Sequence, residues 1–327
     1  MVGCPRSGTT LLQRLMLGVE NSFSMPETDY FRQVAINYYL ATRSSRPVKA
    51  LTYEKFLSPK TLARVLTSMK KNAELNMSSE QVSELYQSAT NGRLVTADLF
   101  DCLAYTYSKD SEETVLIEKT PAHVFHIPVI KSIFPDAVFV GVVRDPRDVY
   151  LSFNKMLSQQ GKPDRSIHEV ANMWNSALCE MEAASIPVIR YEDMILDPVG
   201  QVNAALKDTG LFVTDMNTNK NKIFQKSETW KSNVFDRIDS SNTGKYQEKL
   251  TDFELYEFQR LCRSGLLKWH YRDEQFNTKV KFRLIYLLNS IKWFGIKLIM
   301  YYKAIFQSIM QNFVRGRQQE MSTSGLS

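Results

Sequence analysis

Gly3-Cys4-Pro5-Arg6-Ser7-Gly8-Thr9-Thr10 keeps the glycine spacing of a phosphate-binding loop but carries Thr9 where a nucleoside triphosphatase carries lysine. A loop of this kind leaves a strand, turns successive backbone N–H groups inward and feeds a helix whose positive end faces the bound anion. Strand, loop and helix in that order commit the chain to an α/β fold, and the anion site survives the swap. What goes with the lysine is the cation used on β- and γ-phosphates, while Thr10 stays where a Mg²⁺-binding hydroxyl would sit. Arg6 supplies a cation inside the loop instead. Such a loop suits a donor with fewer charges to neutralise than ATP and a group that can leave without a metal.

The rest of the chain alternates strand and helix patterns. Leu11, Leu12, Leu15 and Met16 form the apolar face of the helix behind the loop. Ser58-Pro59 reads as a helix start, Ser78 with Gln81 as a capping box, and Leu99, Cys102, Leu103 and Thr106 as a third helix. These helices break the α/β pattern, so residues from about 45 to 110 read as a helical insertion. Thr114 to Ile117 has the β-branched bias of a buried parallel strand and ends in Glu118-Lys119-Thr120-Pro121. A helix with Val124, Ile127, Ile130 and Ile133 follows and stops at Pro135. Ala137 to Val143 is the strongest strand pattern and ends in Arg144-Asp145-Pro146-Arg147-Asp148, where Asp145 is a natural N-cap and Pro146 a natural first helical residue. A helix with Ile167, Val170, Trp174, Ala177 and Met181, then a strand from Pro187 to Arg190, complete the pattern. The expected architecture is a P-loop-type three-layer α/β/α fold with a central parallel sheet and ligands at the strands' C-terminal ends. The Gly3 loop, Lys119 and Arg144 all lie at such ends.

The formal charge of +6 on 327 residues suits a polyanionic ligand, an acidic acceptor or an anionic membrane surface. No basic, aromatic-interleaved motif points to nucleic acid. Cys4, Cys102, Cys179 and Cys262 are scattered, which predicts neither a zinc site nor a disulfide framework and favours a reducing, cytoplasmic setting. The apolar stretch of a signal peptide has no room before Gly3, so none is expected.

Pro5-Arg6-Ser7-Gly8-Thr9-Thr10, Pro26-Glu27-Thr28, Glu118-Lys119-Thr120-Pro121 and Arg144-Asp145-Pro146-Arg147-Asp148 with Ser152 together resemble the sulfotransferases that use 3′-phosphoadenosine 5′-phosphosulfate (PAPS). The likeness is to the branch containing the heparan sulfate, tyrosylprotein and many bacterial enzymes, and it covers about residues 1 to 265. The resemblance implies that the Pro5 to Thr10 loop binds the 5′-phosphosulfate, that Arg144 and Ser152 grip the 3′-phosphate, and that PAP is the product. It implies Glu27 as the base that takes the acceptor's proton and Lys119 as the cation beside the leaving group. Ser240 to Tyr246, with Gly244 and Lys245, is a looser counterpart of the family's loop over the nucleotide. Tyr191-Glu192-Asp193 resembles a recurring segment that reads as scaffold, and His123 and His126, one helical turn apart, read as structural.

The implied reaction is metal-independent in-line transfer to a hydroxyl or amine on an acceptor that the sequence does not name, with the insertion shaping its pocket. A divergent P-loop kinase or nucleotidase, favoured by the Gly3 to Gly8 spacing and Thr10, stays open on the residues alone. So does a nucleotide-binding scaffold without catalysis. Residues 1–275 are expected to form the catalytic domain. Residues 276–327 are expected to form a basic amphipathic helix with a disordered end, since Leu284, Leu287, Leu288, Ile291, Phe294 and Leu298 share a face apart from Lys281, Lys292 and Lys303. That helix suits docking on the domain, self-association or peripheral contact with a membrane.

Overall fold

The computed structural model describes residues 1–31, 57–72, 77–108, 112, 114–214 and 242–273. The tail helix and its end, residues 45–56 of the expected insertion, and Ser240 and Ser241 lie outside the described residues. Among those described, the strands are β1 (Val2–Gly3), β2 (Ser22–Ser24), β3 (Val115–Ile117), β4 (Gly141–Val143) and β5 (Val188–Arg190). They pair in parallel as a β1-β4-β5 sheet and a β2-β3 pair, with Val2 opposite Gly141 and Val142 opposite Ile189. Between the two, the Met1 amino group donates to the Glu118 carbonyl at 2.8 Å, which sets the end of β3 beside β1.

Helices cover both faces of the three-stranded sheet. Helix α1 (Thr9–Met16) buries Leu11, Leu12 and Leu15 against Val142 and Ile189 of the sheet. Each of these side chains contributes about 1.5–3 kcal/mol of apolar transfer. Neighbouring strand residues point to opposite faces. A Cβ on Gly141 would meet Met181, so the helix that carries Met181 lies on the face away from α1.

Helices α2 (Pro59–Asn72), α3 (Ser79–Thr90) and α4 (Thr96–Tyr105) come between β2 and β3. The Ser78 and Gln81 capping box forms in both directions, at 3.2 and 2.9 Å. Then follow α5 (Ile127–Ile133), α6 (Pro146–Gln159) and α7 (Ile167–Ala183), which carries Met181. Helices α8 (Tyr191–Leu196) and α9 (Pro198–Leu206) follow β5 at once, and α9 packs on α1. Helices α10 (Tyr246–Lys249), α11 (Asp252–Leu261) and α12 (Arg263–Lys268) close the described part. Met1–Asp273 forms one compact unit. No helix among the described residues is long and apolar enough to cross a membrane.

Two elements differ from expectation. The apolar run 137–143 forms a ladder only at Gly141–Val143, with Val2 N–H reaching back to the Val140 carbonyl at 3.0 Å. A strand extends only where a partner runs beside it, and among the described residues β1 and β5 offer two and three residues. The segment after Lys119 begins as a 3₁₀ turn over Pro121–His126 before α5 starts. Pro128 sits in the first turn of α5, where its missing N–H costs nothing, and would break a helix running through it.

Candidate active site

The loop after β1 turns sharply at two positions with positive φ, Arg6 at 76° and Gly8 at 101°. Gly8 is required twice over. Its backbone lies in the left-handed region, and a Cβ there would overlap the Tyr191 ring. Gly8 also starts α1, accepting from Leu11 N–H and Leu12 N–H at 3.0 and 3.2 Å, and no side chain caps this helix end. The first N–H groups of α1 therefore face the loop's hollow with the helix's positive end.

The second strand end builds the opposite wall. Asp145 caps α6 through a 3.0 Å bond from Arg147 N–H, and Arg147 returns its guanidinium to Asp145 at 2.9 and 2.7 Å. Arg147 is fully buried over the Tyr246 ring at 3.8 Å, so it is a structural cation. Arg144 points the other way. Its guanidinium lies 4.6 Å from the centre of the Tyr191 ring, donates to the Arg6 carbonyl at 3.3 Å and also donates to the Asn242 carbonyl. Its Nε is buried with no hydrogen-bond partner among the described residues. Arg6 Nε donates to Ser152 Oγ at 3.3 Å.

Burial lowers the Arg6 guanidinium below its usual value, Glu27 works against this, and nearby Arg144 adds to it. A buried guanidinium with a second one beside it is the condition that an anion relieves. The unpartnered Arg144 Nε and the uncapped α1 N-terminus point the same way, so the residues present fit a phosphate-bearing ligand.

Glu27 lies in the irregular segment just before Tyr30, outside any helix, and Lys119 donates to its Oε1. Lys119 is 1% exposed and Glu27 35%, so the carboxylate is the open member of this ion pair. Lys119 is thus engaged by Glu27 and closed to solvent. Burial alone would raise the Glu118 carboxyl, but His123 and the hydrogen bonds from His123 and Thr120 hold it below the usual range. His123 is buried there, edge-on to Phe31 at 5.0 Å, in a structural role.

A cavity of about 530 Å³ brings Pro5, Arg6, Gly8, Thr9, Thr10, Glu27, Arg144, Ser152 and Lys245 onto one wall system. Ser7, Lys119 and Gly244 are not among its wall residues. Ser7 is buried, Lys119 stands behind Glu27, and Gly244 gives its N–H to Asp148 Oδ2 at 2.7 Å. Lys245 Nζ donates to Asn242 Oδ1 at 2.7 Å. The wall also holds Tyr191, Asp148, Lys155 and Lys249, which sequence reading did not place there. Tyr191 directly follows β5, so the strand-end rule that marks Lys119 and Arg144 marks it too.

The profile described as Sulfotransferase family matches residues 1–215. Two curated proteins named omega-hydroxy-beta-dihydromenaquinone-9 sulfotransferase Stf3, from Mycobacterium bovis and Mycobacterium tuberculosis, are each 30% identical over 129 residues. The match covers 35% of this chain and 32% of each relative, so the chain spans about a third of their length. Among solved structures, the sulfotransferase domain of the Synechococcus PCC 7002 olefin synthase superposes with a TM-score of 0.53 at 18% identity, over 84% of this chain and 94% of that one. At that identity the likeness speaks for the fold.

Proposed function

The chain belongs to the sulfotransferase family, and we propose that it moves a sulfuryl group from PAPS to a hydroxyl or amine acceptor, without a metal and with Glu27 as the base. The observation that carries this reading is the convergence of Arg6, Arg144, Ser152 and Glu27 on one cavity. The Pro5 to Thr10 loop, with Ser7 behind it, and the N-terminus of α1 hold the 5′-phosphosulfate. Arg144 and Ser152 hold the 3′-phosphate, and Gly244 and Lys245 close the nucleotide side. When bound, the donor supplies the sulfuryl group and departs as PAP.

Glu27 accepts the proton that the acceptor loses as its oxygen or nitrogen bonds to sulfur. Lys119 holds the Glu27 carboxylate in place beforehand. A proton arriving on Glu27 removes the charge that engages Lys119, which leaves the ammonium to balance negative charge growing on the leaving phosphate. The mycobacterial relatives are named for an omega-hydroxy substrate, which supports a hydroxyl-bearing acceptor. In this reading residues 1–275 are the catalytic domain, the insertion from about 45 to 110 shapes the acceptor side, and residues 276–327 serve self-association or peripheral membrane contact. Four free thiols, two of them buried, suit a cytoplasmic setting.

PAP is expected to raise the melting temperature in the presence of EDTA, by as much as ~2.7 kcal/mol of added stability at a hundredfold excess over Kd. Arg6→Ala and Arg144→Ala should each abolish that shift. No shift at millimolar PAP would sink the donor assignment, and a shift that required Mg²⁺ with ATP would point to the kinase alternative. Glu27→Gln should keep PAP binding and lower kcat by roughly 10²–10⁴-fold. Full turnover in that variant would remove Glu27 from the base role.

A further inference from the structure

The peptide unit between Arg144 and Asp145 is held at both of its polar ends. Its carbonyl accepts the indole N–H of Trp174 at 2.9 Å, and its N–H donates to Glu192 Oε1 at 3.1 Å. Trp174 comes from α7 and Glu192 from α8, thirty and forty-seven residues along the chain. Each is itself fixed. The Trp174 ring is 1% exposed and stands so close to Gly265 that a Cβ there would overlap it. Glu192 Oε2 accepts the Tyr271 hydroxyl at 3.0 Å, and the Arg190 guanidinium lies 4.9 Å from the centre of the Tyr271 ring.

We propose that Trp174 and Glu192 are positioning residues for the donor site, aiming Arg144 by locking the plane of the 144–145 peptide; the inference rests on the reading of Arg144 as the phosphate grip. Tilting this plane changes ψ of Arg144 and φ of Asp145 together. Freeing this plane loosens the backbone from which Arg144 reaches the Tyr191 ring and the Arg6 carbonyl, and shifts the cap of α6 at the same time. A side-chain amide or carboxylate at 192 serves this purpose, since either offers an oxygen to the Asp145 N–H. The indole N–H at 174 has no substitute in phenylalanine, which keeps most of the ring.

The test compares PAP affinity by calorimetry with donor KM, kcat and melting temperature. Trp174→Phe is expected to raise PAP Kd and donor KM together by roughly three- to tenfold, the value of one lost hydrogen bond, with kcat at saturating donor nearly unchanged. Glu192→Ala should do the same, and Glu192→Gln should return to within about twofold of the parent affinity. In an Arg144→Gln background, which keeps a weaker hydrogen-bond donor so that PAP affinity stays measurable, Trp174→Phe should add less than it costs the parent. A lower melting temperature with PAP Kd unchanged would overturn the inference, as would losses that simply add in the double variant. If Trp174→Phe fails to fold, the Ala and Gln pair at 192 decides. If Arg144→Ala leaves PAP affinity intact, the donor reading of Arg144 is what fails, and the inference falls with it.

Discussion

Arg6 holds a backbone φ of 76°, a left-handed conformation that costs an L side chain about 1–2 kcal/mol. It holds this strained turn at the centre of the proposed anion site, between a bond to Ser152 and a carbonyl engaged by Arg144. Both Arg6→Ala and Arg6→Gly remove the cation, but only glycine is at ease there. We expect Arg6→Gly to be the more stable of the two by about 0.5–1 kcal/mol in urea titration. Equal stability would show that the turn relaxes when the side chain goes. That a cation sits in the loop was legible in the sequence, because Arg6 lies between Gly3 and Gly8. Its strained angle was not, because that angle follows from closing the loop between β1 and α1. The same holds for Lys119: its place after a strand was readable, but its bond to Glu27 spans 92 residues.

Helix α6 shows what an element encodes by itself. Asp148, Ser152, Lys155 and Gln159 are spaced by four, three and four residues, share one helical face, and all line the cavity. The cap at Asp145 and the proline behind it were equally plain. What the helix could not announce is its hold on the segment 242–246, where Asp148 accepts Gly244 N–H at 2.7 Å and Tyr246 N–H at 3.1 Å. Asp148→Ala removes both acceptors. Amide exchange at Gly244 and Tyr246 should then speed up by roughly ten- to a hundredfold, about the value of a hydrogen bond to a charged group, while the amides of β4 keep their protection. Unchanged exchange would mean that this segment is held by other contacts. The shortened β4 and the 3₁₀ start before α5 mark the limit of element-level reading. Strand length is set by the partner alongside, and Pro128 overrides the apolar period on either side of it.

At the scale of the whole molecule, carboxylates wholly or partly withdrawn from water link folding to pH. Burial raises the Glu192 carboxyl above its ordinary value of 4.5, against the hydrogen bonds from Asp145 and Tyr271, and raises Asp148 above 3.8. In the window just above those values the folded chain binds more protons than the unfolded one, so each group's contribution to stability falls as pH rises through it. Glu192→Gln removes one of the two groups. The stability of the parent chain relative to this variant should therefore decline from pH 4 upward and level off once Glu192 is ionised in the fold. A difference that grew with pH would mean that the folded state favours the carboxylate. The sequence alone determined the alternation of strand and helix, the glycine-spaced loop with its missing lysine, the helix caps and the motifs at the strand ends. All of these are written in neighbours a few residues apart, where φ/ψ preferences and the 3.6-residue period act directly. The tertiary structure alone decided that Arg6 meets Ser152 across 146 residues, that Lys119 holds Glu27, and that Trp174 and Glu192 take the two ends of one peptide. Those contacts depend on the order of strands in the sheet and on which helix faces pack over it, and no local pattern carries that information.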